Sequence, residues 1–164
     1  MTVEKVDATL ADFDGHFERL FGSDDGKVKL LLFLADREPS STLTWCPGKI
    51  ILHTCKLFSC SQRCYHRTHR SAMRRGADCN VAEPVIYKKL EALQGRDAVL
   101  LRAYVGDKPT WRNPSHPWRV DPRFQLKGVP TLIRWEKGAA AARLEDDEAH
   151  LGDKIDAVLA AAGN

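Results

Sequence analysis

Two unbroken apolar runs of strand length constrain the fold of this chain more than any other feature. Residues 27–36 contain the letters KLLLFLA, and residues 98–105 read AVLLRAYV. Apolar side chains at successive positions, without polar alternation, are typical of strands that are covered on both faces. Apolar residues recur at helical spacing over residues 7–21, before the first run, and over residues 82–93, between the two runs. Strands that alternate with helices in this way predict an α/β domain.

The last third of the chain completes that domain. Residues 131–135 (TLIRW) predict a third strand, residues 136–138 (EKG) a hairpin turn, and residues 151–159 a terminal helix. Residues 108–123 predict a long loop rich in Pro and Trp. A hairpin after a βαβ pattern predicts a mixed central sheet flanked by helices, and 164 residues suffice for one domain over residues 1–164.

Cellular location is predicted from two negative features. The longest apolar run, residues 30–35, has six residues, whereas a membrane-spanning helix needs about 20, so we expect no membrane partner. Residues 1–10 carry acidic side chains and lack the apolar core of a secretory signal. We therefore expect a cytoplasmic, reducing environment, where the five cysteines more often serve chemistry or metal binding than structural disulfides.

The charge of the chain is unevenly placed. Residues 48–77 hold seven Lys and Arg and no acidic residue, so this segment carries +7. The whole chain carries only +3, which leaves a net charge of −4 for the rest of the sequence. The same segment contains three of the five Cys and three of the six His. It therefore differs in character from the sequence on both sides and is interpreted as an insert.

Two halves of a redox motif flank this insert. They are Trp45-Cys46-Pro47, after the first strand, and Asp78-Cys79, before the second helix. Without residues 48–77 the sequence would read TWCPDCNVAEP, with a C-x-x-C at a strand-to-helix junction and Pro84 inside the helix. This text resembles the thioredoxin superfamily and, more narrowly, the thioredoxin-like Clot family, whose active site reads WCPDC. The segments AEPVIYKKLEAL, AVLLRAYVGDKPTWRNPSHPWR and FQLKGVPTLIRWEKG extend the resemblance to nearly all of the chain outside the insert.

The resemblance implies a thioredoxin-like fold and a dithiol site. Cys46 would be the nucleophile, because a thiol at a helix N-terminus is stabilised as the thiolate. Cys79 would resolve the mixed disulfide. Asp78, between the two thiols, would raise the pKa of the thiolate or help to carry a proton. Trp45 and Pro47 would shape the site.

Pro130 resembles the cis-proline that lies beside the redox pair throughout the superfamily, so the resemblance implies a cis bond after Val129. One departure is that the first buried strand lacks the acidic residue of typical thioredoxins. Asp36 lies at the end of that strand, and the group that accepts the proton of Cys79 stays open. Glu83 is either a helix-face charge or a neighbour of the site.

The tryptophans allow two interpretations. Trp45 and Trp111 fit substrate contact and simple packing equally well, whereas Trp118 and Trp135 fit packing better.

The insert itself has three readings. Its Cys and His residues have the spacing C-x4-C-x3-C-x-H-x2-H, which matches no usual zinc knuckle, so no metal site is predicted. Its positive charge predicts non-specific contact with nucleic acid at most, because no organised fold presents it. The third reading is a retained intron of in-frame length, because Gly-Lys after Pro47 is what a splice-donor sequence encodes. The low apolar content predicts that residues 48–77 are disordered.

Two functions follow from these observations. The first is an enzyme, a protein-disulfide reductase of the Clot type that needs no bound cofactor. Its partners would be disulfides in proteins or small molecules, with NADPH-dependent thioredoxin reductase as electron donor, and it would serve redox homeostasis. We expect the insert to impair its activity. The second is a redox-inactive thioredoxin-fold binding module.

Overall fold

The computed structural model of this chain describes residues 3–40, 42–46, 79–93 and 97–160. The elements in that part of the chain are β1 (Val3–Ala8), α1 (Phe13–Phe21), β2 (Val28–Leu34), α2 (Cys79–Glu91), β3 (Ala98–Tyr104), α3 (Lys108–Arg112), α4 (Pro117–Val120), β4 (Thr131–Glu136), β5 (Ala139–Leu144) and α5 (Gly152–Ala160). The predicted α/β class is confirmed. The predicted disorder of residues 48–77 concerns a segment outside the described residues, and so do the site predictions for Pro47 and Asp78.

The described strands form one mixed sheet in the order β1-β3-β2-β4-β5. β1 and β2 both pair with β3 in parallel, whereas β4 is antiparallel to β2 and β5 is antiparallel to β4. Every residue of the central strand β2 is buried, as its unbroken apolar run predicts. The sheet therefore has the predicted mixed architecture.

Helices cover both faces of the sheet. Phe33 of β2 packs against Phe13 of α1, with 6.0 Å between the ring centroids. Arg102 of β3 is level with Leu32, the neighbour of Phe33, and its guanidinium reaches Tyr87 of α2. Since successive strand residues point to opposite faces, α1 and α2 lie on opposite sides of the sheet.

The terminal helix lies on the same face as α2. Arg134 of β4 is level with Leu30, which shares a face with Leu32. The guanidinium of Arg134 donates to the carbonyl oxygens of Val158 and Leu159 in α5. The sheet is thus flanked by α1 on one face and by α2 and α5 on the other.

Two regions differ from the sequence prediction. The first helix begins at Phe13, not at residue 7, because residues up to Ala8 extend as β1 and pair with β3. The predicted long loop contains the short helices α3 and α4. The side chain of Asp107 caps α3 and the ring of His116 caps α4, by accepting hydrogen bonds from the amides of Thr110 and Trp118. These caps stabilise helices too short to show a hydrophobic period, so the sequence pattern did not predict α3 and α4.

Candidate functional site

The site lies at one edge of the sheet, where parallel β2 and β3 end. Because β4 runs antiparallel to β2, its first residue, Thr131, lies at that same edge. The segment 42–46, the turn after β3 and the residues before β4 therefore come together. Ligands of α/β sheets bind at this carboxyl edge, so its side chains are the first candidates for chemistry.

Cys46 lies at this edge beside the turn that leads into β4. Its Sγ is 3.6 Å from the carbonyl oxygen of Val129, within the distance for a thiol hydrogen bond. The Val129–Pro130 peptide bond is cis, as the resemblance implies, and Pro130 is buried. Cys46 itself is half-buried. Cys46 is therefore partly exposed at the carboxyl end of the parallel strands.

Cys79 occupies a different environment. It is the first residue of α2, and none of its surface is exposed. Its Sγ accepts a hydrogen bond of 3.5 Å from the amide of Ala35, at the end of β2. The two cysteines therefore differ in exposure: Cys46 is half-buried, whereas Cys79 is fully buried.

The segment that carries Cys46 is fixed to the sheet. The Trp45 amide donates to the Asp36 carbonyl at 3.1 Å, and Thr44 forms an isolated antiparallel bridge with Arg37. The Trp45 indole Nε1 donates to the Gly106 carbonyl at 2.8 Å, so this half-buried ring links the segment to the turn after β3.

A side chain that the sequence analysis missed joins this segment to α2. Asn80 Oδ1 accepts from the amide of Thr44 at 2.9 Å and from the Thr44 hydroxyl at 3.3 Å. Asn80 Nδ2 donates to the Cys46 carbonyl at 3.4 Å. In the sequence, Asn80 is only a polar residue next to Cys79. Its role becomes visible when the fold brings residues 44–46 beside it.

Asp36, the acid at the end of β2, follows Ala35, whose amide bonds to Cys79 Sγ, and its own carbonyl accepts from the Trp45 amide. Its carboxylate accepts a hydrogen bond of 2.9 Å from the Gly106 amide. Burial raises the pKa of Asp36 above the usual range for an aspartate, and the nearby charge of Asp107 adds to the rise. Asp36 is therefore a group that can take up a proton more readily than an exposed aspartate.

Glu83 lies one helical turn after Cys79 and is buried, so it is more than a helix-face charge. The Tyr87 hydroxyl donates to Glu83 Oε1 at 2.5 Å, and Arg37 Nη2 lies 3.2 Å from the same oxygen. Arg102 Nη1 is 3.9 Å away. Burial raises the pKa of Tyr87, which keeps its hydroxyl protonated as a donor. This cluster connects α2 to Arg37, which forms the backbone bridge with Thr44 in the segment that carries Cys46.

Comparisons with known proteins agree with this geometry. The family model for the thioredoxin domain of thioredoxin domain-containing protein 17-like proteins matches residues 68–161, a range that includes Cys79 and Pro130. The thioredoxin-like protein Clot of Oryza sativa subsp. japonica is 61% identical over 168 residues, with 99% of each chain covered. The chain belongs to the Clot family of thioredoxin-like proteins.

More distant relatives extend the comparison. The thioredoxin-like protein Clot of Arabidopsis thaliana is 40% identical over 162 residues, and the alignment covers 98% of each chain. Thioredoxin domain-containing protein 17 of Mus musculus is 38% identical over 58 residues, which is 35% of this chain and 45% of the mouse protein. A solved structure of chloroplastic thioredoxin z covers 98% of both chains at 15% identity, with a TM-score of 0.45.

Membership in the Clot family confirms the predicted thioredoxin-like fold, which is the fold type of thiol–disulfide oxidoreductases. In this Clot-family chain, the tryptophans of the long loop are packing residues. Trp111 is 7% exposed and lies under the Arg119 guanidinium, 3.9 Å from the ring centroid. Trp118 packs between Phe13 and Phe33. Substrate contact by Trp111, one of its two interpretations, does not fit this burial.

In residues 3–40, 42–46, 79–93 and 97–160, no group of three or more His, Cys, Asp or Glu side chains is placed to hold a metal ion. Within those ranges no helix is long and apolar enough to cross a membrane.

Proposed function

We propose that this Clot-family chain is a thiol–disulfide oxidoreductase that reduces disulfides with Cys46 and Cys79. The observation that carries the proposal is the contrast between the two thiols. Cys46 is half-buried beside the cis Val129–Pro130 bond, and Cys79 is fully buried at the first residue of α2. One accessible and one inaccessible thiol fit a nucleophile and a resolving group.

The position of Cys46 also fits the electrostatics of a nucleophilic thiol. Its carbonyl accepts a hydrogen bond from Asn80, the second residue of α2, so Cys46 lies beside the first turn of that helix. Unpaired amide groups and the helix dipole at a helix N-terminus favour negative charge. Such an environment lowers the pKa of a thiol and raises the fraction present as thiolate at neutral pH.

The reaction proceeds by two exchanges. The Cys46 thiolate attacks one sulfur of a substrate disulfide, forms a mixed disulfide and releases the first substrate thiolate. Cys79 then gives up its proton and attacks Cys46 Sγ, which forms the Cys46–Cys79 disulfide and releases the second substrate thiolate. Two electrons have passed to the substrate. An NADPH-dependent thioredoxin reductase returns the pair to the dithiol.

We also propose the partners and the location of the protein. The substrates are disulfides in proteins or small molecules, and the protein acts in the cytoplasm in redox homeostasis. The two sulfurs and the reductase supply all the electrons, so the mechanism needs no bound cofactor.

We further propose that residues 48–77 lower the activity, because they separate two cysteines that only Pro and Asp separate in the family motif WCPDC. A retained intron is the origin that we favour for the segment.

The long separation of the two cysteines also favours a second candidate function, a redox-inactive thioredoxin-fold binding module.

A reductase assay separates the two candidates. Insulin and cystine would be incubated with the full chain, NADPH and thioredoxin reductase, and NADPH consumption followed. We expect turnover that Cys46→Ser abolishes, whereas Cys79→Ser accumulates a mixed disulfide visible by intact mass. Cys55→Ser is the matched control and should retain turnover. A folded chain that consumes no NADPH and forms no mixed disulfide would leave the binding module as the function.

A further inference from the structure

We propose that Asn80 is a positioning residue for the dithiol reaction: its side-chain amide holds the segment of Cys46 against the first turn of α2. This inference rests on the proposed function, because it assigns to Asn80 the alignment of Cys46 with Cys79. Asn80 acts through the backbone of residues 44–46, and for that reason it is a positioning residue and not a catalytic one.

The hydrogen bonds define the orientation of the Asn80 amide. A backbone N–H can only donate, so the 2.9 Å contact with the Thr44 amide identifies the acceptor as Oδ1. The other end of the amide is then the donor Nδ2, which faces the Cys46 carbonyl at 3.4 Å. One side chain thus satisfies a donor and an acceptor on the two residues that flank Trp45. Both groups would otherwise need other partners at a partly buried position.

The other described anchors of residues 44–46 lead to the sheet, and Arg37 links the neighbouring Thr42 carbonyl to Glu83 of α2. The Trp45 amide bonds to Asp36, and Thr44 bridges to Arg37, so these contacts fix the segment to the end of β2. The Trp45 indole leads to Gly106, after β3. Asn80 connects the Cys46 backbone to α2, the helix that begins with Cys79.

The length of chain between the two thiols makes this connection important. In an uninterrupted C-x-x-C motif the backbone itself holds both sulfurs at one helical turn. Here residues 47–78 intervene, and a connection of that length imposes only a weak covalent constraint on the distance between its ends. Non-covalent contacts must then supply the alignment, and Asn80 makes three of them with residues 44–46.

The test uses the full chain and two readouts that a purely structural role would not move. The first is the rate of Cys46 alkylation by iodoacetamide as a function of pH, followed at the Cys46 peptide by mass spectrometry. The second is the equilibrium constant of the Cys46–Cys79 disulfide against a glutathione buffer. Asn80→Ala should slow the alkylation at pH 7 and lower the equilibrium constant, each by roughly three- to tenfold, the effect of about one hydrogen bond.

Two further variants complete the experiment. Asn80→Asp keeps the acceptor for Thr44 but places a charged oxygen against the Cys46 carbonyl, so it should slow the alkylation at least as much as Asn80→Ala. Asn113→Ala is the matched control, because Asn113 also accepts from a backbone amide, that of Ser115, in the loop between α3 and α4. It should leave both readouts unchanged.

The outcomes test the positioning role of Asn80 and the proposed function separately. The positioning role is overturned if Asn80→Ala alkylates and equilibrates as the wild type does, or if Asn113→Ala loses as much. If the wild type forms no Cys46–Cys79 disulfide, the proposed function fails. The alkylation readout still tests Asn80 in that case, because it depends on Cys46 alone.

Discussion

The Sγ of Cys46 lies 3.6 Å from the carbonyl oxygen of Val129, so the accessible thiol borders the turn that carries the cis Val129–Pro130 bond. The side chain of Asp146 lies close to Gly128 in this turn. A Cβ on Gly128 would lie 2.6 Å from Cγ of Asp146, in the connection between β5 and α5. A side chain at position 128 would therefore fit only if the Asp146 side chain or the turn moved.

We therefore predict that Gly128→Ala destabilises the protein and disturbs the site. The added methyl group must displace Asp146 or the turn, a steric cost of about 1–3 kcal/mol in the free energy of unfolding. Asp146→Ala in the same chain should restore most of that loss, since it removes the obstructing carboxyl group. Denaturant unfolding of both single variants and the double variant measures this coupling. Additive effects would show that the two residues do not contact each other.

The buried Glu83 cluster gives a second prediction. Glu83→Gln should reduce the free energy of unfolding by about 2–3 kcal/mol, because it removes the buried carboxylate that bonds to Arg37 and Tyr87, whereas Arg102 keeps Asp7 as a carboxylate partner. Tyr87→Phe should cost less, about 1–2 kcal/mol, since it removes the hydrogen bonds to Glu83 and from Arg102 but leaves the ion pairs.

A surface ion pair provides the control for that experiment. Glu91 is 69% exposed and lies 3.8 Å from Lys5, so Glu91→Gln should change the free energy of unfolding by less than about 0.5 kcal/mol. Urea unfolding at pH 7 compares the three variants. A cost for Glu83→Gln no larger than that for Glu91→Gln would contradict the structural role of the cluster.

His116 predicts a pH dependence of stability. Its Nε2–H donates to the Val105 carbonyl and its Nδ1 accepts from the Trp118 amide, so the ring is held in the neutral form. Burial lowers the pKa of His116 below its ordinary value of 6.5. The unfolded chain therefore binds more protons than the folded chain as the pH falls below 6.5. Stability from this residue is present above pH 6.5 and is lost toward lower pH.

Replacing His116 tests that dependence. His116→Gln should cost about 1–2 kcal/mol in the free energy of unfolding at pH 8, where the ring is neutral in both states. Between pH 7 and pH 5 it should lose less stability than the wild type, because the titrating ring is gone. An unchanged slope in His116→Gln would contradict the assignment.

Much of the fold was predictable because its central strands β2 and β3 are covered on both faces. The apolar runs of β2 and β3 identify buried strands without any tertiary information, and Lys137 and Gly138 adopt the positive φ angles of the predicted hairpin turn. The start of α1 was not predictable. Whether residues before Phe13 extend or coil depends on the pairing of β1 with β3, which is a long-range contact.

The site was predictable only in part. Family resemblance points to Cys46, Cys79 and Pro130, and the structure describes all three at one edge of the sheet or at the start of α2. Asn80 could not be found from the sequence, because its hydrogen bonds reach Thr44 and Cys46, which are distant along the chain. Nor could the burial of Glu83, which depends on Arg102 from β3.

The effect of residues 48–77 is the fourth prediction. A variant that joins Pro47 directly to Asp78 should reduce insulin faster than the full chain. Only two residues then separate Cys46 from Cys79, so the backbone itself holds both thiols at the start of α2. In that variant Asn80→Ala should have a smaller effect on turnover than in the full chain, since the backbone supplies the alignment. Equal turnover of the two chain lengths would show that the insert does not impair the reaction.

Disulfide mapping tests the central claim most directly. The full chain would be equilibrated with a glutathione redox buffer, quenched with acid and alkylating reagent, digested, and its cross-linked peptides identified by mass spectrometry. We predict that the first disulfide to form as the buffer becomes more oxidising joins Cys46 to Cys79, and that it forms reversibly. Preferential pairing of either residue with Cys55, Cys60 or Cys64 while the Cys46–Cys79 peptide stays absent would contradict the account.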